Sequence, residues 1–320
     1  MSEPRISSDE AVLSPRDLDT VTLPAVHASL PVRSFGLTDV GKVRTTNEDQ
    51  FLIAVLLKSL HVERTSLPQA RFQHSSDRGY LLVVADGVGG HVGGEKASAL
   101  AIDSVESFIL ETFQWFAQCK GEEQDTVLAD FQMALGQANA RVRAEAAQRP
   151  ELRGMGTTLT LAYSLNDELF VAHAGDSRCY LCRHGTIYRL TRDHTMVEEM
   201  VRQGYLSPDE AAEHRWRHVI TNAVGGNTPA VKVEVHKVRL EEGDRVLLCS
   251  DGLTEMVPDD EINCILQTAA DPEQGCRRLV AEANRAGGKD NITVVVAHFG
   301  AEIKIEAVEQ NRVAAETVIG

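Results

Sequence analysis

Tyr80-Leu-Leu-Val-Val-Ala-Asp86-Gly-Val-Gly-Gly-His-Val-Gly-Gly94 is the part of the sequence that most constrains the architecture. The apolar run before Asp86 predicts a strand that is buried on both faces. The glycines that follow lack Cβ and tolerate positive φ, so this backbone can approach whatever the Asp86 carboxylate binds. A simple glycine-rich turn is the alternative, because Asp-Gly is a common turn dipeptide. The rest of the chain has to show whether this segment is a binding loop or only a turn.

The composition is that of a soluble globular protein. The chain has 320 residues, of which 43% are hydrophobic and 25% charged, and this length suits one large domain or two ordinary ones. The net charge of -15 argues against nucleic acid as a partner. No apolar run approaches the ~20 residues of a membrane span, and no secretory signal is visible. We therefore expect a cytoplasmic monomer without membrane contact.

The cysteines fit reduced thiols in such a compartment better than disulfides or a zinc site. Cys179 and Cys182 form a C-x-x-C pair, but they fall in a predicted strand, where positions i and i+3 face opposite sides. No second pair accompanies them, which disfavours structural zinc. Cys249 and Cys264 lie in apolar surroundings and are expected to be small core residues.

The order of apolar segments predicts an α+β fold. Strands joined by short turns are too numerous for a single parallel sheet, and helices arrive in pairs between groups of strands, so we expect two packed sheets with helix pairs outside. We expect a domain over 34–300, a flexible N-terminal extension over 1–33 and a polar C-terminal tail over 301–320. The predicted strands are 34–39, 51–57, 80–85, 157–163, 169–174, 179–182, 186–190, 231–238, 245–249 and 292–299, the predicted helices are 95–119, 126–148, 195–205, 207–214, 259–268 and 273–285, and 58–79 is a predicted loop.

Five acidic sites share one placement, within three residues of the start or end of a strongly apolar strand. They are Glu48/Asp49, Asp86, Asp176, Asp251 and Asp290. If these strand ends converge, the carboxylates repel one another and raise one another's pKa, unless divalent cations lie between them. Ligand sets made only of oxygen select Mg²⁺ or Mn²⁺. Any one Asp could merely cap a turn, but five repeats of the pattern make coincidence a poor explanation.

Arg44 lies in the same loop as Glu48 and Asp49. Its guanidinium could grip a phosphate through two hydrogen bonds while metal ions neutralise the remaining charge. The alternative is a surface arginine paired with Asp39. Two metal ions that share a bridging water can aim it at phosphorus, which indicates hydrolysis of a phosphomonoester. The absence of a Cys-x₅-Arg loop argues against a cysteine-dependent phosphatase. The absence of a Walker-type loop argues against a nucleoside triphosphatase.

Six short motifs follow one another along the chain. They are Asp39-Val-Gly41 with Arg44 and Asn47-Glu48-Asp49, Asp86-Gly87-Val88-Gly89-Gly90, Gly154-Met155-Gly156-Thr157-Thr158, Gly175-Asp176-Ser177-Arg178, Ser250-Asp251-Gly252, and Lys289-Asp290-Asn291-Ile292-Thr293. Together they resemble the motif series of the metal-dependent Ser/Thr protein phosphatases of the 2C class, the PPM family. Residues 192–224 resemble the flap segment of its bacterial branch. The resemblance covers roughly residues 34–299 and is specific, because six separate motifs agree.

The resemblance implies an αββα four-layer sandwich, in which two antiparallel sheets pack together between helix pairs, with a binuclear Mn²⁺ or Mg²⁺ centre at one end. By the family pattern, Asp86 would bridge both ions. Asp251 and Asp290 would complete the shell of one ion. Glu48 and the carbonyl of Gly87 would complete the shell of the other.

The resemblance also implies roles for the groups around these ions. Asp49 would orient a metal-bound water, and Arg44 would hold the substrate phosphate. Asp176 together with Asp251 would bind the third metal ion of bacterial members. The flap would lie beside the cleft.

One position departs from the family pattern. Some members carry a histidine after the Asp-Gly pair as general acid for the leaving oxygen, and this chain has Val88 there. Metal-bound water could protonate the alkoxide instead. His91, His194 and His218 are expected to be structural or surface residues.

The implied function is hydrolysis of phosphoserine and phosphothreonine in proteins, by a water activated at the binuclear centre. The implied partners are phosphorylated proteins, including a eukaryotic-like Ser/Thr kinase and its substrates. A non-catalytic module of the same fold that binds phosphoproteins is the alternative, although degenerate relatives lose ligand carboxylates that this chain retains. A metal-dependent hydrolase of another phosphoester, such as a nucleotide, is a third hypothesis.

Overall fold

The computed structural model describes residues 30–60, 73–89, 91–111, 124–226 and 230–300. Most of the expected N-terminal extension and the whole expected tail lie outside these ranges. The strands within them are β1 (Val32–Asp39), β2 (Gln50–Leu60), β3 (Gln73–Ala85), β4 (Gly87–Val88), β5 (Gly156–Thr157), β6 (Leu159–Leu165), β7 (Glu168–Ala174), β8 (Arg178–Arg183), β9 (Thr186–Arg189), β10 (Val224–Gly225), β11 (Glu234–Arg239), β12 (Arg245–Cys249) and β13 (Ile292–Phe299). The α-helices are α1 (His91–Glu111), α2 (Gln124–Gln148), α3 (Met196–Arg202), α4 (Pro208–Glu213), α5 (Asp251–Thr254), α6 (Asp259–Thr268) and α7 (Pro272–Arg285).

Two five-stranded antiparallel sheets form the centre of the molecule. The first has the strand order β1-β13-β12-β8-β9, and the second has the order β11-β7-β6-β3-β2. The short strands β10, β5 and β4 make a small third sheet beside them. The prediction of an α+β fold built on packed antiparallel sheets is therefore confirmed.

Strand β3 shows why the two sheets stack. Its residues alternate: Leu82 and Val84 point into the core between the sheets, while Leu81 and Val83 point to the layer beneath α1 and α2. All four are buried, as predicted for a strand with apolar neighbours on both faces. Burying each such side chain contributes roughly 1.5–3 kcal/mol, so this strand anchors the carboxylate that follows it.

The helix layers close the sandwich on both outer faces. Phe108 of α1 and Phe131 of α2 pack on the second sheet, and Ile262 of α6 and Leu279 of α7 pack on the first. The helix ends are defined by capping. Asp271 Oδ1 accepts a hydrogen bond from Gln274 N at 2.8 Å before α7, a typical N-cap contact. This order of helices, sheet, sheet and helices is the αββα arrangement.

Two predictions about local structure were wrong. The predicted loop over 58–79 is too long, because β2 continues to Leu60 and β3 begins at Gln73, where Ser59 pairs with His74. Backbone pairing needs no apolar side chain, so a hydrophobic pattern underestimates this hairpin. Cys264 is exposed rather than in the core, because the buried face of α6 runs through residues on the other side of the helix.

The burial of Cys249 and the opposite orientation of Cys179 and Cys182 agree with the sequence. Cys249 is buried, and Cys179 and Cys182 are free thiols that point into different cores on the two sides of the first sheet. Burial raises the pKa of the Cys179 thiol well above its ordinary value, so this thiol is not reactive. In the described part of the chain no helix has the length and apolar character needed to cross a bilayer.

Candidate active site

The acidic sites lie together at one end of the sandwich, where the ends of five strands meet. Glu48 and Asp49 precede β2, Asp86 follows β3, Asp176 follows β7, Asp251 begins α5 after β12, and Asp290 precedes β13. The antiparallel pairing explains the convergence, because Gln50 at the start of β2 pairs with Ala85 at the end of β3. In the same way, Cys249 at the end of β12 pairs with Val294 near the start of β13.

Burial and mutual repulsion act on these carboxylates. Burial raises the pKa of Asp86 and of Asp251 well above the ordinary value, and the charges of the neighbouring carboxylates raise both further. Burial also raises the pKa of Asp176 to about 7, with the charge of Asp193 adding to the effect. A cluster of this kind is costly unless positive charge is placed among its members.

The backbone N–H and C=O of Asp86 are held by Thr157 and Thr158, which belong to a separate motif of the sequence. The Asp86 N–H donates to Thr158 Oγ1 at 2.9 Å, and its carbonyl accepts from Thr158 N and from Thr157 Oγ1, both at 2.8 Å. Thr158 Oγ1 also lies 2.7 Å from Ser177 Oγ, next to Asp176. These contacts fix the backbone on both sides of the cluster.

Asp49 is 2% exposed and lies behind the cluster, where Ser250 Oγ donates to its Oδ2 at 2.7 Å. Burial raises the pKa of Asp49 to about 6, and the hydrogen bond from Ser250 opposes this rise. The other oxygen, Oδ1, is buried without a hydrogen-bond partner among the described residues. Asp176 has an orphaned Oδ1 of the same kind.

The Glu48 carboxylate lies against the backbone of Gly94, where there is no room for a side chain. A Cβ on Gly94 would overlap Glu48 Oε2, and a Cβ on Gly87 would overlap the Gly94 backbone. The Gly87 carbonyl therefore lies beside the same glycine as the Glu48 carboxylate, which brings together the two groups expected to share an ion. Glycine is required here for close approach of the backbone.

Arg44 stands at the mouth of the cluster. Its Nη2 donates to Asp290 Oδ2 at 2.6 Å, and this bond, assisted by the charges of Glu48 and Asp251, raises the pKa of the guanidinium. The alternative partner, Asp39, instead accepts from Gly41 N and from Asn284 Nδ2, at 2.8 and 3.0 Å. The structure thus places Arg44 among the acidic groups and not in a pair with Asp39.

Asn291 and Ser250 are supporting residues to which the sequence analysis assigned no role. Asn291 Oδ1 accepts from Glu48 N at 2.8 Å, and its Nδ2 donates to the carbonyls of Val40 and Thr46 at 3.0 and 2.9 Å. This side chain therefore joins the Arg44 loop to the segment that carries Asp290. The sequence could have indicated these roles, because Asn291 and Ser250 stand inside the motifs that carry the acidic groups.

The residues described as a flap are anchored beside Asp176. Arg178 donates to both carboxylate oxygens of Asp193, with Nε–Oδ1 at 3.0 Å and Nη2–Oδ2 at 2.7 Å. His194 Nδ1 accepts from Gly175 N at 3.1 Å, and its ring stacks on buried His173 with centroids 4.9 Å apart. His194 is therefore structural, as expected.

His218 and His91 were also expected to be structural or surface residues. His218 is exposed, as expected of a surface residue, but its ring contacts Glu255, the residue that ends α5, and so lies next to the acidic cluster. The side chain of His91 is outside the described part of the structure. Val88 is 42% exposed at the end of the Asp-Gly loop and provides no proton donor there.

The donor set fits hard divalent cations. The groups expected to bind the paired ions present only oxygen atoms, as Mg²⁺ and Mn²⁺ prefer. The orphaned oxygens of Asp49 and Asp176 are buried polar atoms of the kind that an ion or its waters satisfy. The residues present thus fit the expected metal centre.

Comparisons with known proteins agree with this geometry. The family profile described as Protein phosphatase 2C matches residues 60–284. The serine/threonine phosphatase stp of Listeria welshimeri is 32% identical over 259 residues, which are 81% of this chain and 92% of that protein. The crystal structure of the Mycobacterium tuberculosis serine/threonine phosphatase PstP/Ppp has a TM-score of 0.67 at 34% identity, covering 84% of this chain and 99% of that chain.

A second crystal structure shows the catalytic domain of serine/threonine protein phosphatase PstP in complex with 2 manganese ions. It has a TM-score of 0.65 at 33% identity and covers 85% of this chain and 100% of that chain. The family profile spans most of this sequence, and the relatives match along nearly their whole length. The chain therefore belongs to the protein phosphatase 2C family.

Proposed function

We propose that this protein hydrolyses phosphoserine and phosphothreonine in other proteins, using two Mn²⁺ or Mg²⁺ ions held by the acidic cluster. The observation that carries the proposal is the convergence of buried and half-buried carboxylates from five strand ends beside one guanidinium. Names of relatives supply the substrate class, since they are called serine/threonine phosphatases. The manganese-bound relative supports the choice of metal.

In this proposal Asp86, Asp251 and Asp290 hold one ion, and Asp86 with Glu48 and the Gly87 carbonyl holds the other. When bound, the two ions would supply positive charge for the phosphate and would lower the pKa of a water at the site. Their charge also removes the repulsion among the carboxylates. A third ion beside Asp176, as in bacterial members, belongs to the same proposal.

Arg44 binds and orients the substrate phosphate. Its side chain is 47% exposed, so the guanidinium can turn from Asp290 towards a phosphate and bind two oxygens at once. Asp49 positions the attacking water through its orphaned Oδ1, while Ser250 holds Oδ2. Because Val88 carries no proton, protonation of the leaving alkoxide falls to water in the cleft.

We further propose a domain over 34–300 with its flap over 192–224, acting in the cytoplasm on a Ser/Thr kinase and the substrates of that kinase. Support for the kinase comes from the resemblance to the bacterial branch. The strongly acidic chain, with a net charge of -15, favours a protein substrate over a nucleotide, because polyphosphates are repelled more strongly.

The experiment is phosphate release from a phosphothreonine peptide with Mn²⁺ or with a chelator. We expect activity that depends on Mn²⁺ and is abolished in Asp251→Asn, a nearly isosteric variant that keeps the fold. A wild-type protein that binds Mn²⁺ and phosphopeptide without releasing phosphate would instead be a regulatory module. A panel with nucleotides and sugar phosphates separates the protein phosphatase from other phosphoester hydrolases.

A further inference from the structure

A second group of potential metal ligands lies at the edge of the acidic cluster, and it includes a nitrogen donor. His218, Asp251 and Glu255 each offer one ligand atom, and these atoms all lie within 4.8 Å of one another. His218 Nδ1 is in direct contact with Glu255 Oε1. Within the described ranges, no other group of three or more His, Cys, Asp and Glu side chains is this close.

The three residues come from two separate parts of the fold. Asp251 begins α5 and Glu255 ends it as the C-cap residue, where Glu255 N donates to Asp251 O at 2.8 Å, so their side chains share a face. His218 comes from the flap, 33 residues before Asp251 in the chain. The backbone fixes its position, because the next residue, Val219, accepts from Met196 N and donates to Trp216 O, at 2.8 and 3.0 Å. The cluster is thus a contact between the flap and the two ends of α5.

The surroundings of the cluster also indicate a cation. Asp251 and Glu255 line a cavity of about 510 Å³, and Asp176 lines the same cavity. Asp176 is 7% exposed, and its Oδ1 is buried without a hydrogen-bond partner in the described part of the molecule. A buried carboxylate oxygen without a partner, on a residue that lines the same cavity as Asp251 and Glu255, is a second sign that positive charge belongs there.

We propose that His218, Asp251 and Glu255 bind a divalent transition-metal ion, Mn²⁺ or Zn²⁺ in class, which fastens the flap to α5. An imidazole nitrogen with carboxylate oxygens suits such ions, whereas Mg²⁺ prefers oxygen alone. The site therefore differs from the paired ions and from the third ion implied between Asp176 and Asp251, which need only oxygen donors. Binding puts an ion between His218 and Glu255 and makes the position of the flap depend on the transition metal.

The test counts bound ions directly, so it does not depend on the proposed phosphatase activity. The free Mn²⁺ signal in electron paramagnetic resonance gives the number bound per chain for the wild type and for His218→Ala. We expect the wild type to bind one more Mn²⁺ than the variant, and no difference between them when Mg²⁺ is counted by calorimetry. Equal Mn²⁺ counts would overturn the site and leave only a histidine–glutamate hydrogen bond.

Two further variants protect the interpretation. His184 also faces a carboxylate, with Nε2 3.6 Å from Glu241 Oε2 on an exposed turn, so His184→Asn is the matched control and should bind as the wild type does. Asn suits this position, because His184 has a φ of 49°. Glu255→Gln should lower the affinity for the His218-dependent ion by roughly tenfold or more. If His218→Ala fails to fold, this variant tests whether the site exists.

Trp216 provides a second readout, because it lies two residues before His218 and is 40% exposed. In a Trp115→Phe background, its fluorescence should change on saturation with Mn²⁺ in the wild-type flap but not in His218→Ala. Asp86→Asn separates the two proposals: it should lose the paired ions and keep the His218-dependent ion. Loss of every ion in Asp86→Asn would contradict an independent site.

Discussion

Arg44 Nη2 lies 2.6 Å from Asp290 Oδ2, although 246 positions separate the two residues in the chain. This ion pair joins the loop before β2 to the loop before β13, and it places a guanidinium directly against the acidic cluster. Both side chains remain partly accessible, at 47% and 32%. The pair therefore marks the open side of the site, where a phosphate would enter.

Arg44→Lys should lower kcat/KM for a phosphothreonine peptide by about 10–100-fold, mainly through KM. Lysine keeps the charge but loses the planar fork, and a charge-assisted hydrogen bond contributes about 1.5–3 kcal/mol. The free energy of unfolding should change by less than about 1 kcal/mol, because the pair is partly exposed. Arg277→Lys is the control, since Arg277 Nη2 makes a surface pair with Glu273 at 2.7 Å. Unchanged kinetics in Arg44→Lys would remove Arg44 from substrate binding.

Ser250→Ala should shift the acid limb of the pH–rate profile to higher pH. The Ser250 hydroxyl donates to Asp49 and so opposes the rise of that carboxyl's pKa, which is about 6. Without this bond the pKa of Asp49 rises further, and less of the carboxylate is ionised at neutral pH.

The same variant should lower the free energy of unfolding by about 1–3 kcal/mol, because Thr293 N, 3.0 Å from Ser250 Oγ, loses its acceptor. Ser104→Ala is the control, since this buried hydroxyl bonds Leu100 O at 2.7 Å within α1. It should reduce stability without moving the pH profile. If the acid limb of the pH–rate profile did not move in Ser250→Ala, ionisation of Asp49 would not control the rate.

Asn291→Ala should destabilise the fold by roughly 2–4 kcal/mol, because it leaves one N–H and two carbonyls without their partner. Asn291→Asp should be almost as harmful, since a carboxylate oxygen would then face the carbonyls of Val40 and Thr46. Urea unfolding measures both changes. If Asn291→Asp were as stable as the wild type, the two bonds from Nδ2 would not support the loop.

The metal-free protein should become less stable as the pH rises from 6 to 8. The pKa of Asp176 is raised to about 7 in the folded state, so the folded chain holds a proton that the unfolded chain has released, and stability is lost as the pH passes the folded value. For this group alone the loss over that interval is about 1 kcal/mol. Asp176→Asn should remove this part of the pH dependence.

Metal binding gives the complementary measurement. With Mn²⁺ present, the ions supply the charge that the carboxylates lack, so thermal unfolding should show a smaller loss of stability between pH 6 and 8 than without it. An equal slope with and without Mn²⁺, or in wild type and Asp176→Asn, would show that Asp176 does not titrate in this range.

Much of this architecture is visible in the sequence because apolar runs mark the strands and short acidic motifs mark their ends. Strand β12 (Arg245–Cys249), helix α6 (Asp259–Thr268) and strand β13 (Ile292–Phe299) have the predicted bounds. Antiparallel pairing then forces the marked ends together. Hydrophobic patterning misses strand residues that pair through the backbone without burying apolar side chains, as at the ends of β2 and β3. It also does not show which apolar residues of a helix lie on its exposed side, as at Cys264.

The side-chain partners within the site were beyond sequence reasoning for a different reason. The bonds of Asn291 to Glu48, Val40 and Thr46 depend on how two distant loops meet. The contact of His218 with Glu255 depends on the path of the flap. Neither follows from local periodicity, because each requires the relative placement of segments that only the packed fold defines.

The most direct measurement is an anomalous difference map at the manganese edge, from crystals grown with Mn²⁺. The proposed centre predicts two peaks about 3.5–4 Å apart, both in contact with the carboxylate of Asp86, with Asp251 and Asp290 on one and Glu48 on the other. A map with no peak beside Asp86, or with a single ion bound by other residues, would contradict it.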